Sequence, residues 1–158
     1  MLKDLDLSFN QITDLPKDLK QLSNLSVLIM SHNRIKCLEE LPPNLKKLDL
    51  QFNKIKGKVK FSHKKLIVVN LSNNSIDEIE NLSESQDLRK LEIFRNHLKS
   101  FHITNLYKLE SLNASFNHLE EIKINFENPL ISSLKSVNLK SNNIKVLGKE
   151  FYRNVCIL

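Results

Sequence analysis

The chain of 158 residues contains only two glycines, four prolines and two cysteines, and it has no tryptophan. Each shortage excludes something. Two glycines leave no Gly-rich loop whose backbone N–H groups could cradle a nucleotide phosphate. Cys37 and Cys156 are too few for a disulfide framework or a zinc site. No G-x-S-x-G, H-E-x-x-H or C-x-x-C occurs, so the hydrolase elbow, the metalloprotease helix and the redox dithiol are all missing. No catalytic residue, metal or cofactor is expected, and the chain is read as a non-enzyme. No apolar run approaches the roughly 18 residues of a membrane span. The opening MLKDLDLSFN lacks the basic-then-apolar form of a secretory leader.

What is present is more specific. Hydrophobic residues make up 41% of the chain, enough to build a core at this length. The formal charge of +6 permits an anionic partner without requiring one. Aligned on asparagine, the chain breaks into seven copies of one pattern: LKDLDLSFNQI (2–12), LSVLIMSHNRI (25–35), LKKLDLQFNKI (45–55), LIVVNLSNNSI (66–76), LRKLEIFRNHL (88–98), LESLNASFNHL (109–119) and LKSVNLKSNNI (134–144). The framework asparagines are Asn10, Asn33, Asn53, Asn74, Asn96, Asn117 and Asn142. The alternating L-x-L centre reads as a short strand with one buried face. A single such strand cannot bury that face alone. Stacked copies bury a continuous core and form a parallel sheet.

The pattern L-x-x-L-x-L-x-x-N-x-I/L resembles the leucine-rich repeat, and the resemblance covers essentially the whole chain. It implies an α/β repeat fold, a curved solenoid whose parallel sheet lines the concave face. It also implies that the seven asparagines form a ladder of buried amide hydrogen bonds between repeats. Residues 1–158 are read as a single domain of seven repeats without terminal caps. A longer solenoid, or end-to-end self-association, would cover its open edges. Between the strands, ITDLPKDLKQLSNL spaces its leucines as a helix does, with Pro16 at the start. IKGKVKF, LKSFHI and EEIKINF alternate, which predicts short extended segments on the convex side; a second helical turn is expected in the last repeat. The mixture resembles the short repeats of the phosphatase-regulator class.

Stacking turns the variable strand positions into columns, counted from the first leucine of each motif. The third column reads Asp4, Val27, Lys47, Val68, Lys90, Ser111, Ser136, and the fifth reads Asp6, Ile29, Asp49, Asn70, Glu92, Asn113, Asn138. The seventh includes Phe94. The eighth reads Phe9, His32, Phe52, Asn73, Arg95, Phe116, Ser141. Aromatic, aliphatic and Arg anchors among polar neighbours are what protein interfaces favour. The expected partner-binding surface is therefore Asp4, Asp6, Val27, Ile29, Lys47, Asp49, Val68, Lys90, Glu92, Phe94 and Arg95. Within it, Val27 and Ile29 make SVLIMSHN (26–33) apolar on both faces. Phe9, Phe52 and Phe116 are read equally as rim packing and as contact residues.

Three further features are weighed. Lys54, Lys56, Lys58, Lys60, Lys64 and Lys65 crowd one stretch, a basic patch for an anionic surface or simply a solvated convex face. Too few aromatics interleave it for base stacking, so nucleic acid is not favoured. His97 and His118 occupy equivalent places in adjacent repeats, but zinc usually takes three or four protein ligands, so two histidines read as surface side chains. Cys37 and Cys156 fall five strand steps apart, roughly 24 Å, too far for a bridge. Thiols fit a reducing interior, so a cytoplasmic location is expected. The leading functional expectation is a scaffold or regulatory module that binds another protein through the concave sheet. The alternatives are a fragment of an extracellular receptor ectodomain and the regulatory arm of a larger signalling enzyme.

Overall fold

The computed structural model describes residues 1–38, 41–61, 63–127, 132–148 and 151. Seven three-residue strands form one parallel sheet: β1 (Asp4–Asp6), β2 (Val27–Ile29), β3 (Lys47–Asp49), β5 (Val68–Asn70), β7 (Lys90–Glu92), β9 (Ser111–Asn113) and β11 (Ser136–Asn138). The order follows the chain, and the register is unbroken. Asp4 pairs with Val27, Val27 with Lys47, Lys47 with Val68, and so on to Ser136. The third and fifth columns read from the sequence are the columns of the sheet.

Burial explains why such short strands hold. The middle residues Leu28, Leu48, Val69, Leu91 and Leu112 point inward and are buried. So are the motif-opening leucines Leu25, Leu45, Leu66, Leu88 and Leu109, and the motif-closing Ile35, Ile55, Ile76, Leu98 and Leu119. Leu5, Leu7 and Ile12 of the first repeat are packed on one side only and stay half-buried. Each repeat thus depends on its neighbours for its core.

The convex side is mostly extended, as the alternation in repeats 3, 5 and 6 predicts. β4 (Lys56–Lys60) pairs in parallel with β6 (Ser75–Glu80), and β8 (Ser100–Thr104) pairs with β10 (Glu121–Asn125). Val59, Phe101, Ile103, Ile122 and Ile124 fill the space beneath them. β6 adds an extended segment in repeat 4. At its start the register slips between Gly57 and Lys58, and Gly57 takes φ +76°, a conformation open to glycine without penalty. The helical spacing of repeat 1 shortens to one 3-10 turn, Lys17–Gln21, with Leu15, Leu19 and Leu25 buried. Pro16, extended at φ −60° and ψ 133°, precedes this turn rather than lying within it. A second 3-10 turn at Leu82–Glu84 was not signalled by periodicity. The turn expected in the last repeat, and Cys156, fall on or beside residues outside the described set; Cys37 is exposed.

The asparagine ladder is complete from the second repeat onward. Asn33 Nδ2 donates to the carbonyl of Met30 in its own loop (3.1 Å) and to that of Leu7 one repeat earlier (2.9 Å). Its Oδ1 accepts the N–H of Ile12 (3.0 Å). Asn53, Asn74, Asn96, Asn117 and Asn142 repeat this arrangement with the carbonyls and amides of their own preceding repeats. Asn10 has no repeat before it among these residues and bonds within its own loop, to Leu7 and Ser8 carbonyls.

Replacing Asn74 by Ala removes its bonds to the carbonyls of Leu50, Leu71 and Ser72 and its acceptor for Ile55 N–H. Each buried group left without a partner costs about 1–3 kcal/mol. Thermal unfolding should therefore show a markedly lower midpoint for Asn74→Ala. Asn10→Ala should lose less, because only its intraloop bonds go. Equal losses for the two, or none for Asn74→Ala, would refute the cross-repeat role.

Candidate functional site

The open face of the sheet carries the third and fifth columns. Asp4, Lys47 and Lys90 are exposed, while Val27, Val68 and Ser111 are half-buried between them. The fifth column has a local task that the sequence reading did not assign. Asp6 Oδ1 accepts the N–H of Ser8 (2.9 Å), and Asp49 Oδ1 that of Gln51 (3.1 Å). Asn70, Asn113 and Asn138 do the same for Ser72, Ser115 and Lys140. An Asx side chain closing the turn two residues on is a familiar alternative to a backbone bond. Asp6 and Asp49, read as partner contacts, first cap the ends of their own strands. The run of Asp and Asn at a strand end just before a turn was the available signal.

Ile29 and Glu92 break the column. Ile29 lies in register between Asp6 and Asp49 and has no polar atom to cap a turn. Glu92 instead forms an ion pair with Lys90 along the same strand, at 3.1 Å. The two carboxylates beside Ile29 differ in environment. The hydroxyl and the N–H of Ser8 hold the Asp6 carboxyl below its ordinary range. Burial pushes the Asp49 carboxyl above it, against the backbone bond from Gln51 and the nearby charge of Lys47. Among the described residues no cation lies within ion-pair distance of Asp49.

The eighth column turns the chain. Phe9, His32, Phe52, Asn73, Arg95, Phe116 and Ser141 all have φ between 52° and 56°, the left-handed region that non-glycine residues seldom adopt. Their side chains are brought into one line at the rim of the sheet. The His32 ring is sandwiched, 4.2 Å from Phe9 and 4.4 Å from Phe52, nearly parallel to both. Offset or stacked rings at this range attract beyond their buried area. Arg95 lies over Phe116 at 5.5 Å, so it stacks along the rim as well as facing solvent. The rings nonetheless remain open: Phe9 is 76% exposed, Phe52 42% and Phe116 44%. Reading F-H-F down the column gives the stack. The left-handed turn that aligns it leaves no such mark.

Other expected site residues are placed differently. The seventh column turns largely inward, with Ser31, Ser72 and Ser115 buried and Phe94 half-buried. The lysine run does not form one patch. Lys58 pairs with Glu78 (2.8 Å) and Glu80 (3.2 Å), and Lys60 with Glu80 (3.4 Å), because β6 of the next repeat brings its carboxylates alongside β4. Lys54 and Lys56 stay exposed on that side, whereas Lys64 and Lys65 lie in the turn leading to β5, at the opposite edge of the sheet. His97 and His118 are neighbours as their spacing requires, stacked at 5.6 Å. Among the described residues, no helix is long and apolar enough to cross a membrane.

Comparison with known proteins agrees with this geometry. Family models for leucine-rich repeats match residues 1–43, as two copies, and residues 42–58. A protein phosphatase 1 regulatory inhibitor subunit PPP1R7 homolog of Arabidopsis thaliana is 31% identical over 157 residues, covering 93% of this chain and 47% of its own length. Mouse epiphycan is 29% identical over 129 residues, 78% of this chain and 40% of that protein. The chain thus spans less than half the length of these curated relatives. Among solved structures, YopM from Yersinia enterocolitica WA-314 superposes with a TM-score of 0.62 at 26% identity, over 92% of this chain and 34% of YopM. With its repeated motif, its parallel sheet and its asparagine ladder, the chain belongs to the leucine-rich repeat family.

Proposed function

We propose that this chain is a non-enzymatic module that binds another protein through the concave face of its first three repeats, in a scaffold or regulatory role. The observation that carries the reading is Ile29. Five of the seven residues in its column cap their own turns with an Asp or Asn side chain. Ile29 gives up that bond and presents an aliphatic surface between two carboxylates, beside Val27 and near the Phe9–His32–Phe52 stack. An apolar centre with a polar rim and an aromatic border is the make-up of an interface hot spot. Asp49 supports the same reading. Asparagine would serve its turn equally well, as Asn70, Asn113 and Asn138 do, without the burial of a charge. A carboxylate kept where it burdens the fold fits a role toward a partner. The Arabidopsis relative is by name a regulatory subunit of a phosphatase, which accords with regulation by binding.

Two measurements test this. In affinity capture, Ile29→Asp should weaken partner retention about tenfold or more, as loss of a central apolar anchor does; Phe94→Ala should weaken it less, because Phe94 lies in the fifth repeat, outside the first three. Partners retained equally by both variants would place the surface elsewhere. The second concerns Asp49→Asn. Because folding raises the Asp49 pKa, its contribution to stability is complete below the unfolded carboxyl range, about pH 4, and is lost as pH rises through the folded value. Asp49→Asn should therefore melt higher than the wild type at pH 7 and match it near pH 3. It should also bind the captured partner more weakly. Higher stability with undiminished binding would remove Asp49 from the interface.

A further inference from the structure

A second surface lies on the edge where the chain enters the strands, away from the concave columns. The residues just before the strands, Lys46, Ile67, Arg89 and Glu110, form a line. Ile67 N–H donates to Lys46 O (2.7 Å), Arg89 N–H to Ile67 O (2.8 Å) and Glu110 N–H to Arg89 O (2.8 Å), so they stand at strand spacing. A second line two residues earlier contains Asn44, Lys65, Asp87 and Lys108. Between the two lines is a cleft of ≈ 340 Å³ lined by Lys46, Lys65, Ile67, Asp87, Arg89 and Lys108. Four basic side chains face one carboxylate there. Lys108 is taken up by Asp87 (2.6 Å) and Arg89 by Glu110 (3.1 Å), which Lys135 also holds (2.9 Å). Lys65 Nζ meets only a neutral acceptor, Asn44 Oδ1, at 2.6 Å. Among the described residues neither Lys46 nor Lys65 has a carboxylate partner.

We propose that this cleft binds an acidic segment of a partner protein, in extended form, with two carboxylates four residues apart and an apolar side chain midway, all three on one face of the segment. Lys46 and Arg89 are two strand steps apart, about 10 Å, within reach of carboxylates on the flexible side chains at the two ends of such a segment, whose backbone spans about 13 Å; Arg89 spends one guanidinium N–H on Glu110, which Lys135 also neutralises, and has further donors. Ile67 lies midway and half-buried, and with the lysine stems beside it forms an apolar floor between the two charges. The pattern is poorly matched to a nucleic acid. Every nucleotide carries a phosphate charge, so a bound strand would set charges against Asp87 and Glu110 as well as the cations, and no aromatic side chain lines the cleft for stacking. On the convex side Lys58 and Lys60 have carboxylates of their own in Glu78 and Glu80, whereas Lys46 and Lys65 in the cleft have none among the described residues.

The test is fluorescence anisotropy of a labelled peptide containing Glu-Thr-Ile-Thr-Glu, with its Gln-Thr-Ile-Thr-Gln counterpart and a single-stranded oligonucleotide of equal charge as competitors. The whole 158-residue chain is used. The acidic peptide should bind, and weaken as salt rises from about 50 to about 500 mM. Lys46→Glu and Lys65→Glu, both at exposed positions, should each reduce affinity about tenfold. Lys58→Glu, with the same change in net charge on the convex side, and Ile29→Asp should leave it unchanged. Equal binding of the glutamine peptide, equal loss with Lys58→Glu, or better competition by the oligonucleotide would overturn the proposal. So would loss with Ile29→Asp, which would put the peptide on the concave face. Peptide binding that survives Ile29→Asp stands even if the concave reading fails.

Discussion

A single side-chain amide per repeat supports everything else in this fold. A three-residue strand makes too few backbone bonds to fix its own place, and the loop after it passes through a left-handed residue that is phenylalanine, histidine or arginine in five of the seven repeats and asparagine in one. That conformation disfavours L-residues by about 1–2 kcal/mol. The framework asparagine compensates in the next position. Its amide ties the carbonyl of its own strand end to the carbonyl and N–H of the preceding repeat. A buried amide whose donors and acceptor are all used tolerates little displacement. The spacing between repeats is therefore set at the loop, and the strands inherit their register from it.

Fixed register gives the variable positions their meaning. Because Asp6, Ile29 and Asp49 must lie side by side, a change of residue type at one of them alters a shared surface, not an isolated spot. The same constraint makes much of the surface neutralise itself. Lys90 meets Glu92, Lys58 meets Glu78 and Glu80, Lys123 meets Glu121, and Arg89 and Lys135 share Glu110. Exposed pairs of this kind add little to stability. Their effect is to mask charge, which leaves the unmasked positions as those where a partner finds something to bind.

The sequence disclosed whatever depends on one repeat at a time. L-x-L marks the strands, the asparagine marks the ladder, and alternation in KGKVK, SFHIT and EIKIN marks the convex segments. It disclosed less wherever several repeats meet. Glu78 and Glu80 come to Lys58 from about twenty residues on, so the lysine run alone could not tell an anion-binding patch from a solvated convex face. The edge cleft draws its lining from three repeats, and its residues share no motif. Local conformation was hidden for a different reason. Nothing in Phe9, His32 or Arg95 favours a left-handed backbone; the loop imposes it, and the ring stack follows. Helical spacing in repeat 1 was legible as buried leucines, but a span of about twenty residues between strands leaves room for only a short 3-10 turn.

The two proposed surfaces are opposite in chemistry, and this follows from where each lies. On the concave face side chains from adjacent strands stand about 4.8 Å apart, and a residue in the fifth column is used first by its own turn. Asparagine and aspartate are favoured there, and the aspartates give the first three repeats an acidic tint that Ile29 interrupts. At the entering edge the turns close through backbone bonds, Leu66 N–H to His63 O, Leu88 N–H to Ser85 O and Leu109 N–H to Leu106 O, so no side chain in those columns is needed to cap them. Long basic residues can occupy that edge without disturbing the ladder, as Lys46, Lys65, Arg89 and Lys108 do. A partner with a mixed surface, apolar and basic opposite Ile29 and acidic opposite Lys46, would engage both at once. Because the two faces belong to the same rigid repeats, the second contact would form within the complex made by the first, raising affinity without any new contact type.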